Sequence, residues 1–409
     1  LPAHEEAPGG PAPESRPPGG APSDLEALLA LAEERAFDLD LDSVRRWKAE
    51  APGRKAVGHM PIYVPREIIH AAGMLPVGIL GGGDRVEIIR GDAYFQSYIC
   101  HIPRSTIELG VSGRLAALDG VIFPSICDVI RNLSGMWKIL FPDLYVHYFD
   151  FPQGDDPEIA RRYYVQELRT IRADLEALGG APVGEDALRA SLAVHNENRR
   201  LVRRLRDRRR ESPWKHPASE AYVAVRAGNV LPVEDHNRLL AAYLEAAQAS
   251  PRRPLDNCRV VLTGSFCEQP PLALIRTLER AGCDIVDDDF LLGSRWLTRD
   301  VSEAGDPLEA LAEAFVHHGV RTASRYTGGE VKGAWLVEAV RRSGAEGVIF
   351  GAASFCDPAL LEEPMLKAAL DRAGVPHTSF KFSEDTGQFQ AIREQAGTFA
   401  DSIRLWSAT

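Results

Sequence analysis

The spacing of apolar residues changes several times along the chain, and the changes divide it. Leu25, Leu28, Leu29 and Leu31, then Leu39 and Leu41, fall on or near one stripe, which predicts helix from Asp24 to Glu50. Arg54–Gly58 then reads as a short strand, His59-Met60-Pro61 as a turn, and Pro65-Arg66-Glu67 as a helix start, since proline suits a first helical turn. Ala72-Gly73 ends that helix. Leu75–Leu80 is an apolar strand closed by Gly81-Gly82-Gly83-Asp84. Gly120–Phe123 is a second, followed by helix from Val129 to Leu140 and a strand at Tyr145–Phe149. From Asp155 to about Ser250 the period is helical. Asp155-Asp156-Pro157-Glu158 opens it, Leu168, Ile171, Leu175 and Leu178 recur at helix spacing, and Gly179-Gly180 interrupts. After a linker at Pro251–Pro254, strand–helix alternation resumes. Cys258–Gly264 is a strand, Pro270–Ala281 a helix, Asp284–Asp288 a strand start, and Glu346–Gly351 an apolar strand.

Alternating strands and helices predict parallel sheets covered by helices, an α/β fold. The expected division is a disordered tail over 1–23, N-terminal helices over 24–53, a first α/β domain over 54–154, a helical segment and linker over 155–254, and a second α/β domain over 255–409. The two α/β segments echo each other. Gly120-Val121-Ile122-Phe123 leads to Cys127-Asp128, and Gly347-Val348-Ile349-Phe350 leads to Cys356-Asp357. Upstream, one copy ends a helix at Ala72-Gly73 and the other at Ala281-Gly282.

Composition narrows the function classes. With 409 residues, 45% hydrophobic and 26% charged, the chain reads as a soluble globular protein of two or three domains. Its net charge of −11 argues against nucleic acid, which needs a basic face. The one basic run, Arg199 to Arg210, is expected to be a solvated helix face. No stretch approaches the roughly 20 apolar residues of a membrane span. Leu1 to Pro22, rich in Pro, Gly and Ala, has no apolar core and does not read as a signal peptide, so a cytoplasmic location is expected.

Six cysteines in such a chain are packed hydrophobes, redox thiols or metal ligands rather than disulfides. None shows Cys-x-x-Cys spacing. Ligands of open parallel sheets bind beyond the carboxyl ends of strands, where Cys127 and Cys356 both lie. Thiolates there would select iron–sulfur clusters, zinc or cuprous ion. Cys258 and Cys283 adjoin strand starts and read as structural; Cys267, in Gly264-Ser265-Phe266-Cys267-Glu268, has no assigned role. Asp287-Asp288-Asp289 alternates faces along a strand and reads as a strand end and turn. Gly81-Gly82-Gly83 lacks the Lys and Ser/Thr of a phosphate loop and reads as a tight turn, the alternative being backbone near a ligand phosphate.

Several strings together resemble the benzoyl-CoA reductase and 2-hydroxyacyl-CoA dehydratase family: Gly58-His59-Met60-Pro61, Pro65 through Pro76, Cys100, Phe123-Pro124-Ser125-Ile126-Cys127-Asp128 and Phe355-Cys356-Asp357-Pro358. The run from Leu80 through Gly91-Asp92-Ala93-Tyr94-Phe95 to Cys100 resembles most the C-type subunits of its ATP-dependent reductases. The likeness runs from about Lys48 to the end; Leu1 to about Asp38 falls outside it. The resemblance implies two Rossmann-like or flavodoxin-like domains with added helices. It implies a [4Fe-4S] cluster on three cysteines, matching Cys100, Cys127 and Cys356, with one iron open to another ligand. It also implies a homologous second iron–sulfur subunit, ATP-hydrolysing activator subunits, ferredoxin as electron source and an acyl-CoA substrate. The expected reaction is reduction of the aromatic ring of benzoyl-CoA to a cyclic dienoyl-CoA; rivals are 2-hydroxyacyl-CoA dehydration, a non-catalytic electron-transfer or scaffold subunit, and a zinc-stabilised binding protein. Charge growing on a thioester oxygen needs aimed donors, for which His59, Ser125 and His101 are candidates. Arg66, Arg104 and Arg131 are candidates for the phosphates of CoA.

Overall fold

The computed structural model describes residues 24–407, apart from 97, 155, 294, 326–331 and 384–388. The expected tail over 1–23 lies outside the described residues, as does Asp155 of the helix-start signal. The predicted first helix is two, α1 (Leu25–Ala36) and α2 (Asp42–Ala49), split where Leu41 adopts left-handed backbone. Then follow β1 (Ala56–His59), α3 (Arg66–Ala71), β2 (Leu75–Gly78), α4 (His101–Val111), β3 (Gly120–Pro124), α5 (Asp128–Leu140) and β4 (Tyr145–Phe149). The middle of the chain is helical: α6 (Pro157–Gly179), α7 (Glu185–Glu211), α8 (Ala218–Arg226) and α9 (Val233–Ala249). Asp156 starts α6 by accepting from the amides of Glu158 and Ile159 at 3.1 and 3.0 Å, and Gly180 ends it in left-handed backbone.

The second alternation comprises β5 (Cys258–Thr263), α10 (Leu272–Arg280), β6 (Cys283–Asp288), α11 (Pro307–His318), α12 (Ala334–Ser343), β7 (Gly347–Ala353), α13 (Asp357–Ala373), β8 (His377–Phe382) and α14 (Phe389–Ser407). Each half is one four-stranded, all-parallel sheet, ordered β2-β1-β3-β4 and β6-β5-β7-β8. The two orders are the same, so the sequence echo reflects one topology used twice. In both, chain order reverses between the two central strands, where an open α/β sheet leaves a crevice for ligand.

What joins the halves was not legible in the apolar pattern. The arginine run expected to be a wet helix face is wet on one side only, at Arg200 and Arg204, and a clamp on the other. Arg199 is buried against Glu67 of α3, in the first half. Two to three turns further along α7, Arg206, Arg209 and Arg210 reach Asp287 and Asp288 at the end of β6, in the second half. Arg295 supplies Asp288 with a further cation. The aspartate triplet is thus a strand end, but a buried and charge-paired one; Asp289 turns the other way and accepts from Thr263 Oγ1 and the Gly264 amide. Burial would raise the Asp288 carboxyl, but Arg209, Arg295 and Arg206 outweigh it and hold it well below the carboxylate range. Asp287 is held low in the same way. A ring cluster adds to the clamp. Tyr63 packs on Phe151, Trp296 and Phe315 at centroid distances of 4.6, 5.9 and 5.4 Å, and its hydroxyl donates to the Val320 carbonyl at 2.6 Å. No helix among the described residues is long and apolar enough to cross a membrane.

Removing one partner of a buried pair strands the other charge, at about 3–5 kcal/mol. Arg209→Met is therefore expected to cost about 3 kcal/mol in denaturant unfolding, whereas Arg204→Ala, on the exposed side of the same helix, stays within about 0.5 kcal/mol. Because folded Asp287 and Asp288 hold protons more weakly than the unfolded chain, their contribution is full above about pH 4 and is lost as pH falls below it. A wild-type stability that stays flat down to pH 3 would contradict this.

Candidate metal centre

Parallel strands place all their carboxyl ends along one edge, and each crossover helix starts there with its amides unsatisfied. In this chain a cysteine occupies that junction three times. Cys100 is the N-cap of α4, Cys127 of α5 and Cys356 of α13. A helix N-terminus carries about half a positive charge, which favours thiolates and anything negative that thiolates hold. Phe355, at φ 64° in left-handed backbone and half exposed, makes the bend that sets Cys356 at the start of its helix.

The three thiols share one neighbourhood drawn from both halves. Burial raises the Cys100 thiol well above its ordinary value, and Glu268, Cys356 and Cys127 raise it further. Burial also raises Cys127; the Ile130 and Val129 amides oppose it, although neither closes into a regular capping hydrogen bond, and Asp128 and Asp357 reinforce it. Cys356 is pushed up to about 12 by burial, against the Ala359 amide. Cys100 gets less amide help for a plain reason: Pro103, the third residue of α4, has no N–H. Cys267, in the loop after β5, is buried, and burial first and then the charges of Cys356, Cys127 and Cys100 raise its thiol. Glu268 accepts from the His101 amide at 3.1 Å, tying that loop to the start of α4.

Among the described residues, no three His, Cys, Asp or Glu side chains stand at the spacing of a single bound ion. A cluster in which each thiolate holds a different iron needs its sulfurs farther apart than one ion does. Three thiols beside helix N-termini fit such a thiophilic group, while the buried Glu268 carboxylate, which raises the Cys100 and Cys356 thiols, adds negative charge against it. Cys258 and Cys283 show the contrast: they are ladder partners at the opposite edge of the second sheet, buried at the strand starts.

The other candidate residues separate clearly. Ser125 is fixed by its backbone, its amide donating to Phe149 O at 2.9 Å and its carbonyl accepting from Gln153 at 2.7 Å, while its buried hydroxyl has no hydrogen-bond partner among the described residues. His59 ends β1; burial and Arg66 lower its pKa to about 3, so it is neutral. With Nδ1 donating to the Met60 carbonyl, its Nε2 is an acceptor, not the donor a growing oxyanion needs. His101 is the first residue of α4 and is buried. Of the proposed phosphate ligands, Arg66 is 3% exposed and donates to the Gly228 carbonyl, so a solvent-borne phosphate cannot reach it without opening the core. Arg104 is drawn to Asp92 at 2.8 Å. Arg131 is exposed on the first turn of α5, 3.4 Å from Asp128. The glycine triplet is a close approach to α4: a Cβ on Gly81 would meet Ser105 Oγ at 2.5 Å, and the Gly82 amide donates to that hydroxyl.

Sequence reasoning overlooked a cavity of about 670 Å³ beside the crevice. Arg203, Arg206, Arg321 and Arg342 line it together with Trp335 and the Gly264-Ser265-Phe266 loop that leads to Cys267. Its signal was present in the arginine run, but nothing in the run said which face would be covered.

The family profile of the 2-hydroxyglutaryl-CoA dehydratase D-component matches residues 61–403. This chain belongs to that family. It is 56% identical over 381 residues to the C-type subunit of the benzoyl-CoA reductase of Thauera aromatica, covering 93% of this chain and 99% of the relative. It is 30% identical to the beta subunit of the lactoyl-CoA dehydratase of Anaerotignum propionicum, over 93% of this chain and all of the relative. With the beta subunit of the (R)-2-hydroxyglutaryl-CoA dehydratase of Acidaminococcus fermentans the identity is 29% over 92% of this chain. The family is one of oxidoreductase and dehydratase enzymes, and its members named here are subunits.

Access around the crevice is uneven, because Cys100 and Cys127 are half-buried while Cys267 and Cys356 are buried. In metal-free protein, iodoacetamide should label Cys100 and Cys127 well before Cys267 and Cys356, as read by peptide mass spectrometry. Equal rates at all four would mean the crevice is open to solvent.

Proposed function

We propose that this chain is the iron–sulfur subunit of an ATP-dependent benzoyl-CoA reductase, with Cys100, Cys127 and Cys356 holding a [4Fe-4S] cluster. Three cysteines at helix N-cap positions on two sheets, close enough to raise one another's thiols, carry the reading, and the 56% identity to a benzoyl-CoA reductase subunit favours it over the other activities of the family. A cluster here supplies single electrons of very low potential, iron–sulfur centres reaching about −700 mV, and ring reduction to a cyclic dienoyl-CoA needs such electrons.

The chain's own residues would do the rest. Where an acyl group and a partner subunit cover the crevice, charge on the thioester would be stabilised by fixed groups rather than solvent. Ser125 is the side chain best placed to donate to that oxygen, since its backbone is held on both sides and its hydroxyl is uncommitted among the described residues. The arginine-lined cavity is of the size that takes a small-molecule ligand and offers CoA phosphates planar donors. Tyr98 and Phe355 are exposed beside Cys100 and Cys356 in the chain and would give a homologous second iron–sulfur subunit apolar surface to cover. Separate ATP-hydrolysing subunits fed by ferredoxin would drive the electrons in, in the cytoplasm. The dehydratase relatives support a second reading, 2-hydroxyacyl-CoA dehydration with one electron used and returned.

Two measurements test this. Anaerobically prepared protein should contain iron and sulfide; Cys100→Ser, Cys127→Ser and Cys356→Ser should lose them, while Cys258→Ser and Cys283→Ser keep them. A colourless, iron-free wild type would overturn the reading. With partner subunits and ATP, benzoyl-CoA should consume electrons stoichiometrically, whereas many turnovers of a 2-hydroxyacyl-CoA after a single activation would select the dehydratase alternative.

A further inference from the structure

The crevice holds a buried carboxylate that the cluster reading leaves without a role. Glu268 lies in the loop after β5 and is buried, as are Pro270 and Pro271 beyond it, which fix their own backbone. The loop is fastened on either side of Glu268. Ser265 Oγ donates to the Gly351 carbonyl at 3.1 Å, and Gln269 Nε2 to the Cys267 carbonyl at 3.3 Å. Held in this way, Glu268 reaches across to the first half, where its Oε2 accepts from the His101 amide at 3.1 Å. That amide is the first of α4 and is bonded to the carbonyl carbon of Cys100, so the carboxylate sits at the foot of the helix that Cys100 caps. The positive end of a helix is a place where a carboxylate keeps its charge. Cys100 makes no side-chain capping bond and Pro103 has no N–H, so at this helix a carboxylate takes the place a sulfur would otherwise have. Arg104, the cation that opposes Glu268 at Cys100, is drawn to Asp92 at 2.8 Å. Asp128 and Asp357, which begin the other two helices, are exposed and screened by water.

We propose that Glu268 sets the reduction potential of the cluster held by Cys100, Cys127 and Cys356, keeping beside it a fixed negative charge that makes the reduced cluster a stronger electron donor. The inference rests on the cluster reading above and leaves one iron open, as that reading has it. Reduction adds one electron, and so one negative charge, to the cluster. A neighbouring anion opposes that step and lowers the potential, and a buried anion does so with little screening. The bond to His101 acts in the same direction. It occupies an amide that could otherwise point at a cluster sulfur, and hydrogen bonds to sulfur favour the reduced form. The same charge raises the Cys100 and Cys356 thiols in the metal-free chain. The structural alternative makes Glu268 only a cap for α4, standing in for Cys100. That role needs an acceptor but not a charge, and a glutamine supplies the acceptor as well. Glu268 acts through the cluster and touches no substrate, which makes it a positioning residue.

The test uses the full chain, reconstituted anaerobically with iron and sulfide, in a dye-mediated redox titration followed by electron paramagnetic resonance of the reduced cluster. Glu268→Gln should hold as much iron as wild type and reduce at a higher potential. At the wild-type midpoint its ratio of reduced to oxidised cluster should rise about tenfold, which is ~59 mV for one electron. Glu268→Asp, which keeps the charge, should fall between wild type and Glu268→Gln. Asp128→Asn, which removes an exposed charge beside Cys127, should change the ratio by less than about twofold. A loaded Glu268→Gln with the wild-type midpoint, or a lower one, overturns the role of Glu268 and leaves the cluster reading intact. So does a shift in Glu268→Asp as large as that in Glu268→Gln, because packing rather than charge would then set it. If Glu268→Gln does not load, Glu268→Ala is titrated in its place. Loss of the cluster from both, with wild type loaded, overturns the proposal too, since Glu268 would then hold the cluster rather than tune it. Absence of iron from wild type overturns this proposal together with the cluster reading, so the two failures are distinguishable.

Discussion

Everything at the crevice depends on one helix holding two sheets in fixed relation. α7 ties Glu67 of the first half through Arg199 and Asp287 and Asp288 of the second through Arg206, Arg209 and Arg210. These are buried charges, and such pairs add little net stability because desolvation offsets their attraction. What they add here is position. An ion pair with no solvent to fall back on tolerates little displacement, so the sheet that carries Cys100 and Cys127 cannot slide against the sheet that carries Cys267 and Cys356. The Tyr63 ring cluster reinforces the same junction with apolar contact.

Given that junction, the crevice follows from parallel topology. Each half turns its strand ends and helix starts toward the same place, and Cys100, Cys127 and Cys356 are all helix N-caps. Two effects then oppose each other at Cys127 and Cys356. Burial favours the neutral thiol, and helix amides favour the thiolate. In Cys100, Cys127 and Cys356 burial prevails while a proton is the only cation at hand. On the proposed reading, iron would change the balance, replacing the proton as the positive partner of each sulfur. A cluster bound as proposed would displace protons from these thiols, so its binding would strengthen with rising pH.

The Arg199–Arg210 run and the strand-end placement of Cys127 and Cys356 were read from the same sequence, and only the second of these readings matches the fold. The cysteines stood out because topology constrains them: a polar residue just beyond an apolar strand falls at the ligand-binding edge whatever the rest of the chain does. The arginines did not, since a charge on a long helix is wet or buried according to what another part of the chain supplies. Asp287 and Asp288, some eighty residues away, supplied it. The fate of the proposed phosphate ligands has the same cause. Arg66 lies in a motif segment, yet α7 to α9 cover it and the Gly228 carbonyl takes its donor.

By itself the sequence determined the alternation of strands and helices, the internal echo, the N-cap of α6 and the place of Cys127 and Cys356 at strand ends, because each depends on local period or local capping chemistry. Its likeness to a family marked Cys100, which no local pattern reaches. Only the tertiary structure decided that the echo is a shared strand order, that one side of the basic run is a clamp, and that the Glu268 loop of the second half is tied to the start of α4 in the first while Cys258 and Cys283 lie at the far edge of their sheet. Those facts depend on the distance between segments remote in the chain, which packing between the two halves fixes and no stretch of sequence encodes alone.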